Sequence, residues 1–174
     1  MAAYISISIL DELVRFAEQD SRYEDAVKAM SSSILLHYFS PLDGFVVVPK
    51  QNRNNHYADF IVLRIQRRFP GDRGIVDHTV VKAKKQADSL NESLEELENV
   101  LENSNTESGR CWALLIRGVE FMFYEYLQHR PVDNRLLPWG RQLGQNTYHV
   151  RRDSEIIDWM LRRMIQRDTP PIRG

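Results

Sequence analysis

The sequence predicts a mixed α/β (α+β) domain, a central mixed β-sheet flanked by helices in the order α-α-β-β-β-α-β-β-α. Three observations carry this. Apolar residues recur at helical spacing in four segments. Short β-branched or aromatic runs, bounded by Gly and Pro, lie between them. Three of these runs are joined by short polar turns, whereas the next pair is reached across a helix, so hairpins and a helical crossover share one sheet. The chain has 174 residues, enough for one domain with a real core. A single domain over residues 1–174 is expected, with no repeat and no low-complexity segment.

The elements follow in order. Over residues 8–20, Leu10, Leu13, Val14 and Ala17 keep helical spacing. Residues 22–39 read as a second helix with Ala26, Val27, Met30, Ile34 and Leu35 on one side. Asp20 or Ser21 is a plausible cap between the two, and Pro41 and Gly44 stop the second. Phe45-Val46-Val47-Val48 is a short strand, and Lys50 to Asn55 a turn. Strands at 57–65 and 75–83 flank a Pro- and Gly-containing loop over 66–74. This makes an antiparallel meander. Residues 89–103 form the clearest helix. Ser89 and Glu92 make a capping box, Leu90, Leu94, Leu97 and Leu101 make the apolar stripe, and the glutamates between them read as a solvated face. Strands at 111–117 and 119–127 are split by Gly118. Residues 128–147 are a long loop broken by Pro131, Pro138, Gly140 and Gly144, and Trp139 within it would mark a partner surface if exposed. Tyr148-His149-Val150 is a last short strand. Asp153 or Ser154 caps a final helix with Ile156, Ile157, Met160, Leu161 and Met164 inward, ended by Pro170-Pro171.

Composition narrows the class. The apolar share of 43% and charged share of 27% are ordinary for a soluble globular protein. A net charge of -1 supplies no global field toward nucleic acid or membrane. The single cysteine, Cys111, lies in an apolar run and rules out an intrachain disulfide framework. No secretory signal and no membrane-spanning run is evident. The expected setting is intracellular and reducing, cytoplasm or nucleus, with no membrane partner. There is no phosphate-binding glycine loop, no dinucleotide motif and no zinc-type Cys/His spacing.

The informative pair is His56-Tyr57-Ala58-Asp59-Phe60-Ile61-Val62-Leu63 and Ile75 to Gln86. The first carries one acid at the head of an apolar run. The second ends in Lys82-Ala83-Lys84-Lys85. Strand periodicity puts Lys82 and Lys84 on one face. An acid and a lysine delivered side by side from adjacent strands can build a metal-dependent phosphodiesterase site.

With the α-β-β-β-α-β order, Asp59 and Val81-Lys82-Ala83-Lys84, the chain resembles the PD-(D/E)XK nuclease-like superfamily, of restriction-endonuclease-like fold. The resemblance covers roughly residues 22–127. Ala58-Asp59-Phe60-Ile61-Val62 and Val80 to Lys85 look like fungal members in particular. It implies that Asp59 is the metal-binding aspartate and Lys84 the lysine that positions and activates water. Glu24 would be the helical glutamate that assists the metal, with Asp25 and Glu18 as alternatives, and Gln86 a polar residue lining the site. The metal would be Mg²⁺ or Mn²⁺. Ala58 replaces the usual proline. Lys82 stands where the family has Asp or Glu.

That last departure has a physical cost. A unit charge about 5 Å from a divalent ion interacts with it by roughly 6–7 kcal/mol at an effective dielectric near 20. Exchanging an acid for a lysine reverses that sign, so two-metal hydrolysis is hard to sustain. Three rescues are open. His78 shares the face of Lys82 and Lys84 by parity, Glu120 could take the acid role from a neighbouring strand, and Asp77 could do so if a bulge reverses its parity.

The expected function is therefore a nuclease-like domain with a degenerate metal site that binds nucleic acid or a protein partner without efficient cleavage. The alternatives are an active Mg²⁺- or Mn²⁺-dependent nuclease and an interaction module using the 128–147 loop. A structural account is also open, with the lysines snorkelling from a strand end and Asp59 at a turn. For nucleic acid, Arg64, Arg67 and Arg68 with Lys82, Lys84 and Lys85, and Gln86 beside them, would form a local basic patch if the sheet gathers them.

Overall fold

Strand β4, Arg110–Arg117, is apolar on both faces, and the domain is layered around it. Trp112, Leu114 and Ile116 enter one core cluster, while Cys111, Ala113 and Leu115 enter another. A strand covered on both sides needs such an unbroken apolar run. The computed structural model describes residues 1–20, 22–72 and 74–172. The candidate cap Ser21, and Arg73 of the expected 66–74 loop, lie outside these.

Helices α1 (Ser8–Gln19), α2 (Glu24–Tyr38) and α4 (Ser154–Ile165) bury their apolar sides in the first cluster, and α3 (Leu90–Glu102) buries its own in the second. Strands β1 (Phe45–Arg53), β2 (His56–Ile65) and β3 (Ile75–Lys84) form the expected antiparallel meander. Through α3 the chain returns to lay β4 parallel to β3, and β5 (Glu120–Leu127) pairs antiparallel to β4. Two short strands, β6 (Leu136–Pro138) and β7 (Tyr148–His149), share the far edge of β5. The sheet order is β1-β2-β3-β4-β5-β6, mixed because of the one parallel pair. No helix among the described residues is long and apolar enough to cross a membrane.

Local chemistry explains most boundaries. Ser89 Oγ accepts from the Glu92 amide at the start of α3, the serine half of the expected capping box. Gly118, at φ +58°, opens the two-residue β4–β5 turn. Other boundaries differ from expectation. The turn expected over 50–55 narrows to Asn54-Asn55, whose φ values of +53° and +66° make a tight hairpin turn, and β1 continues through Pro49 to Arg53. Pro49 is tolerated because β1 is an edge strand with no ladder on its outer side. Asp20 caps nothing by its side chain, and Tyr23 is the residue before α2. Asp153 precedes α4, but its carboxylate accepts from the His149 amide instead of capping the helix. The 128–147 segment is not wholly loop, since Leu136–Pro138 adds a strand to β5.

The largest departure from simple alternation lies between β2 and β3. Val62 faces Thr79 but Leu63 faces Asp77, so His78 is an extra residue, a β-bulge. The bulge turns His78 toward Phe39 and Phe45, with ring centroids at 5.6 and 5.1 Å. Its Nε2 lies 2.9 Å from the Arg167 carbonyl and its Nδ1 2.8 Å from Thr79 Oγ1. A neutral ring protonated on Nε2 fits both partners. Asp77 turns the other way, where Arg53 binds it through Nε at 2.9 Å and Nη2 at 2.8 Å and the Asn105 amide donates at 2.9 Å.

Two stability predictions follow from the bulge. Burial pulls the His78 imidazole down to about 4. Unfolded, it takes a proton near 6.5, so the unfolded state binds more protons between these values. Stability should fall as pH drops through that window, by about 3 kcal/mol at pH 4 for this group. Urea unfolding of wild type and His78→Gln at neutral and acid pH reads the difference. Asp77→Ala leaves Arg53 without its buried partner and should cost about 3 kcal/mol in the same assay at neutral pH.

Candidate functional site

The site lies where β2 begins and β3 ends. β2 and β3 stop pairing at Phe60–Val81. One residue beyond, Asp59 Oδ2 accepts from the Ala83 amide at 2.8 Å, so the side chain replaces a ladder bond. β2 also changes face here. Ala58 belongs to the cluster under α3 and Phe60 to the opposite one, although they are two residues apart. The carboxylate is thereby set at the sheet's end between the helical layers.

Lys82 and Lys84 do share a face, and both reach α3. Their ammonium groups meet one oxygen, Glu96 Oε2, at 3.1 and 2.6 Å. Lys82 Nζ also donates to the Tyr57 carbonyl at 2.9 Å and stands 3.9 Å from Asp59 Oδ2. Its side chain is only 9% exposed, against 46% for Glu96. On the other side, Lys28 of α2 lies 3.3 Å from Asp59 Oδ1 and 3.7 Å from Glu24 Oε1. A continuous alternation of charge results: Glu24, Lys28, Asp59, Lys82, Glu96, Lys84.

This arrangement brings Asp59, Lys82 and Lys84 together, as the sequence suggested, and corrects several other expectations. Glu24 does not share a cation position with Asp59, because Lys28 stands between them. His78 is on the opposite face from the lysines and is fully buried, since the bulge breaks the parity argument. Asp77 is turned to the α3 side by that bulge but is committed to Arg53 and Asn105. Glu120 is separated from Lys84 by β4, facing Arg117, which itself pairs with Lys84. Gln86 follows β3, and its carbonyl accepts from Arg117 at 3.1 Å. Lys85 is exposed and lines a shallow cleft with Arg22, Tyr23, Glu24 and Asp25.

The arginines do not join the lysines. Antiparallel pairing sets Arg64 opposite Val76, five residues along β2 from Asp59 and thus about 16 Å away. There Arg64 pairs with Asp168 at 3.1 Å and lies over the Phe45 ring, and Arg68 pairs with Glu107. Both line a separate cleft of about 640 Å³ with Phe69 and Ile75. Arg67 is exposed at that end. Trp139 packs against Trp112 and Phe123 and marks no surface. Cys111 is buried, and burial pushes its thiol well up, out of the reactive range.

A divalent cation needs unneutralised oxygen donors. The residues present do not fit one as they stand. Asp59 spends one oxygen on the Ala83 amide and faces Lys28 with the other, and Glu96 is held by two ammonium groups. Among the described residues no three His, Cys, Asp or Glu side chains converge as a metal would require.

Glu96 is the site residue that sequence reasoning missed, having been read as solvated. Its position holds the missed signal. It lies three residues after Ser93 and four before Val100, both buried, so it borders the inward stripe of α3. Comparison of the chain with protein-family models, curated proteins and solved structures finds no match in any of the three.

Burial pushes the Glu96 carboxyl up, but hydrogen bonds from Lys84 and Lys82 outweigh it and hold it below the usual value. Burial pulls the Lys84 ammonium down, and the Glu96 hydrogen bond and charge, with Asp59 and Asp88, outweigh it upward. Glu96 therefore stabilises above the ordinary carboxylate range and loses this as pH falls through its lowered value. Lys84 stabilises below its ordinary value and loses this as pH rises through its raised one. Glu96 and Lys84 are therefore both charged across neutral pH. Carbon-detected NMR titration should place the Glu96 midpoint below that of an ordinary glutamate, and Lys84→Gln should return it toward the ordinary value.

Proposed function

We propose that the chain is a nuclease-like domain of PD-(D/E)XK, restriction-endonuclease-like type whose cation position is filled by its own Lys82 ammonium, and that it binds nucleic acid without cleaving it. The order α2-β1-β2-β3-α3-β4, with β4 parallel to β3, supports the fold part of this reading. So does the delivery of Asp59 and Lys84 to one end of adjacent strands. The observation that carries the absence of cleavage is the surrounding of Lys82 Nζ. Two carboxylates and a backbone carbonyl face it at 3.9, 3.1 and 2.9 Å. These are hard oxygen donors of the kind a divalent ion takes, and here an internal ammonium compensates them. An ammonium offers no open coordination position for water, so the arrangement retains charge balance without Lewis-acid chemistry.

The test pairs a cleavage assay with a metal titration. Wild type should leave single- and double-stranded DNA and RNA whole in Mg²⁺ or Mn²⁺, and millimolar Mn²⁺ should not move its Tm. Lys82→Glu replaces that ammonium with a third carboxylate beside Asp59 and Glu96, so Mn²⁺ should raise the Tm of that variant by several degrees. Cleavage by wild type that both chelator and Asp59→Ala abolish would overturn the proposal.

A further inference from the structure

We propose that α4 docks on the phosphate backbones of duplex DNA, with Arg152 at one end of the helix and the Arg141–Arg163 pair at the other. The inference rests on the nucleic-acid-binding reading above and names a face for the ligand, one that shares no residue with the Asp59 site. Charge is segregated here. A chain of net charge -1 places six arginines but only three acids between residues 139 and 167. Two of those acids are committed. Asp158 accepts from Tyr38 and Arg162, and Asp153 accepts from the His149 amide. The acids of α1 that reach this region, Asp11 and Glu18, are bound to Arg151. Among the described residues Arg141, Arg152 and Arg163 pair with no carboxylate, unlike Arg64, Arg68 and the lysines of β3.

Trp159 holds two of the three. The guanidinium carbons of Arg141 and Arg163 each lie 5.6 Å from its ring centroid. Arg163 reaches the ring from four residues on along α4, and Arg141 from the loop before β7. A guanidinium held over a ring is fixed through its flat face, so the N–H donors at its edge stay open and its charge is not cancelled. Two such forks suit phosphate oxygens, which arginine binds bidentately. Shape favours a duplex. The other side of α4, with Ile157, Met160, Leu161 and Met164, is buried, so the arginines stand on a convex flank. The preceding turn winds in the helical sense, the Asp153 amide donating to the His149 carbonyl. Arg152 and Arg163 are therefore about 16 Å apart along the axis. The major groove of B-DNA, about 12 Å wide, admits a helix, and long side chains at that spacing meet the backbones on both its sides. A-form RNA narrows that groove, and an acidic peptide is held in a groove or along a sheet edge, which a convex flank does not offer.

The experiment measures binding of a short fluorescein-labelled DNA duplex across a salt series in EDTA, so that hydrolysis cannot enter. Single-stranded DNA, duplex RNA and polyglutamate serve as competitors. The logarithm of wild-type affinity should fall against that of salt with a slope of about -3, for three phosphates. Arg141→Gln, Arg152→Gln and Arg163→Gln should each weaken binding about ten-fold at ~50 mM salt and flatten the slope by about 1. Glu155→Gln, which removes the remaining acid of this face, should tighten binding. Arg67→Gln, at an exposed arginine beyond β2, should change neither affinity nor slope. Circular dichroism confirms that each variant is folded. The proposal is overturned if the three arginine variants bind like wild type, if Arg67→Gln weakens binding as much, or if any competitor is preferred to the duplex. A wild type that binds DNA with no loss in these variants removes the α4 face alone, whereas one that binds neither DNA nor RNA removes the nucleic-acid reading with it.

Discussion

An ammonium group nine-tenths withdrawn from water must find its compensation inside the protein, and Lys82 finds it in three groups on two elements. Each carboxylate near 4 Å contributes about 4 kcal/mol at an effective dielectric near 20, set against a desolvation cost of several kcal/mol. The balance closes only if Asp59, Glu96 and the Tyr57 carbonyl all keep their places. Those places are on β2 and α3, and Lys28 extends the chain of charge to α2. One side chain thus ties the helical layers on opposite faces of the sheet through the sheet's end, where ladder bonds between β2 and β3 have run out.

Much of the scaffold was legible in the sequence because it depends on short-range chemistry. The Ser89 cap, the Gly118 turn and the apolar alternation of β4 each act within a few residues. The parts that were not legible depend on pairing partners. Pro49 reads as a strand end until β1 is known to be an edge. His78 reads as a neighbour of Lys82 until Val62 and Leu63 show that one residue has been added. Glu96 reads as one of several solvated acids until β3 places two lysines beneath it.

The misplaced arginines have a simpler cause. Arg64 lies five residues beyond Asp59 on the same extended strand, so a site at the start of β2 leaves it at the far end. The basic residues therefore divide into two groups with different duties. At one end lysines alternate with acids around a compact site. At the other, Arg64 and Arg68 bind Asp168 and Glu107, fastening the C-terminal segment and the loop after α3 to the sheet. Here the arginines serve structure, while the lysines carry the candidate chemistry.

The outer strand has a consequence for how the molecule meets its own copies. An open sheet edge is a template on which a foreign strand can add itself. Pro49 removes one donor from the middle of β1, and Lys50, at φ +48°, twists the backbone next to it. At the opposite edge, β6 and β7 cover β5 in two short pieces. Among the described residues no long, flat row of free amides is left on either side, so the sheet resists growth into a fibre.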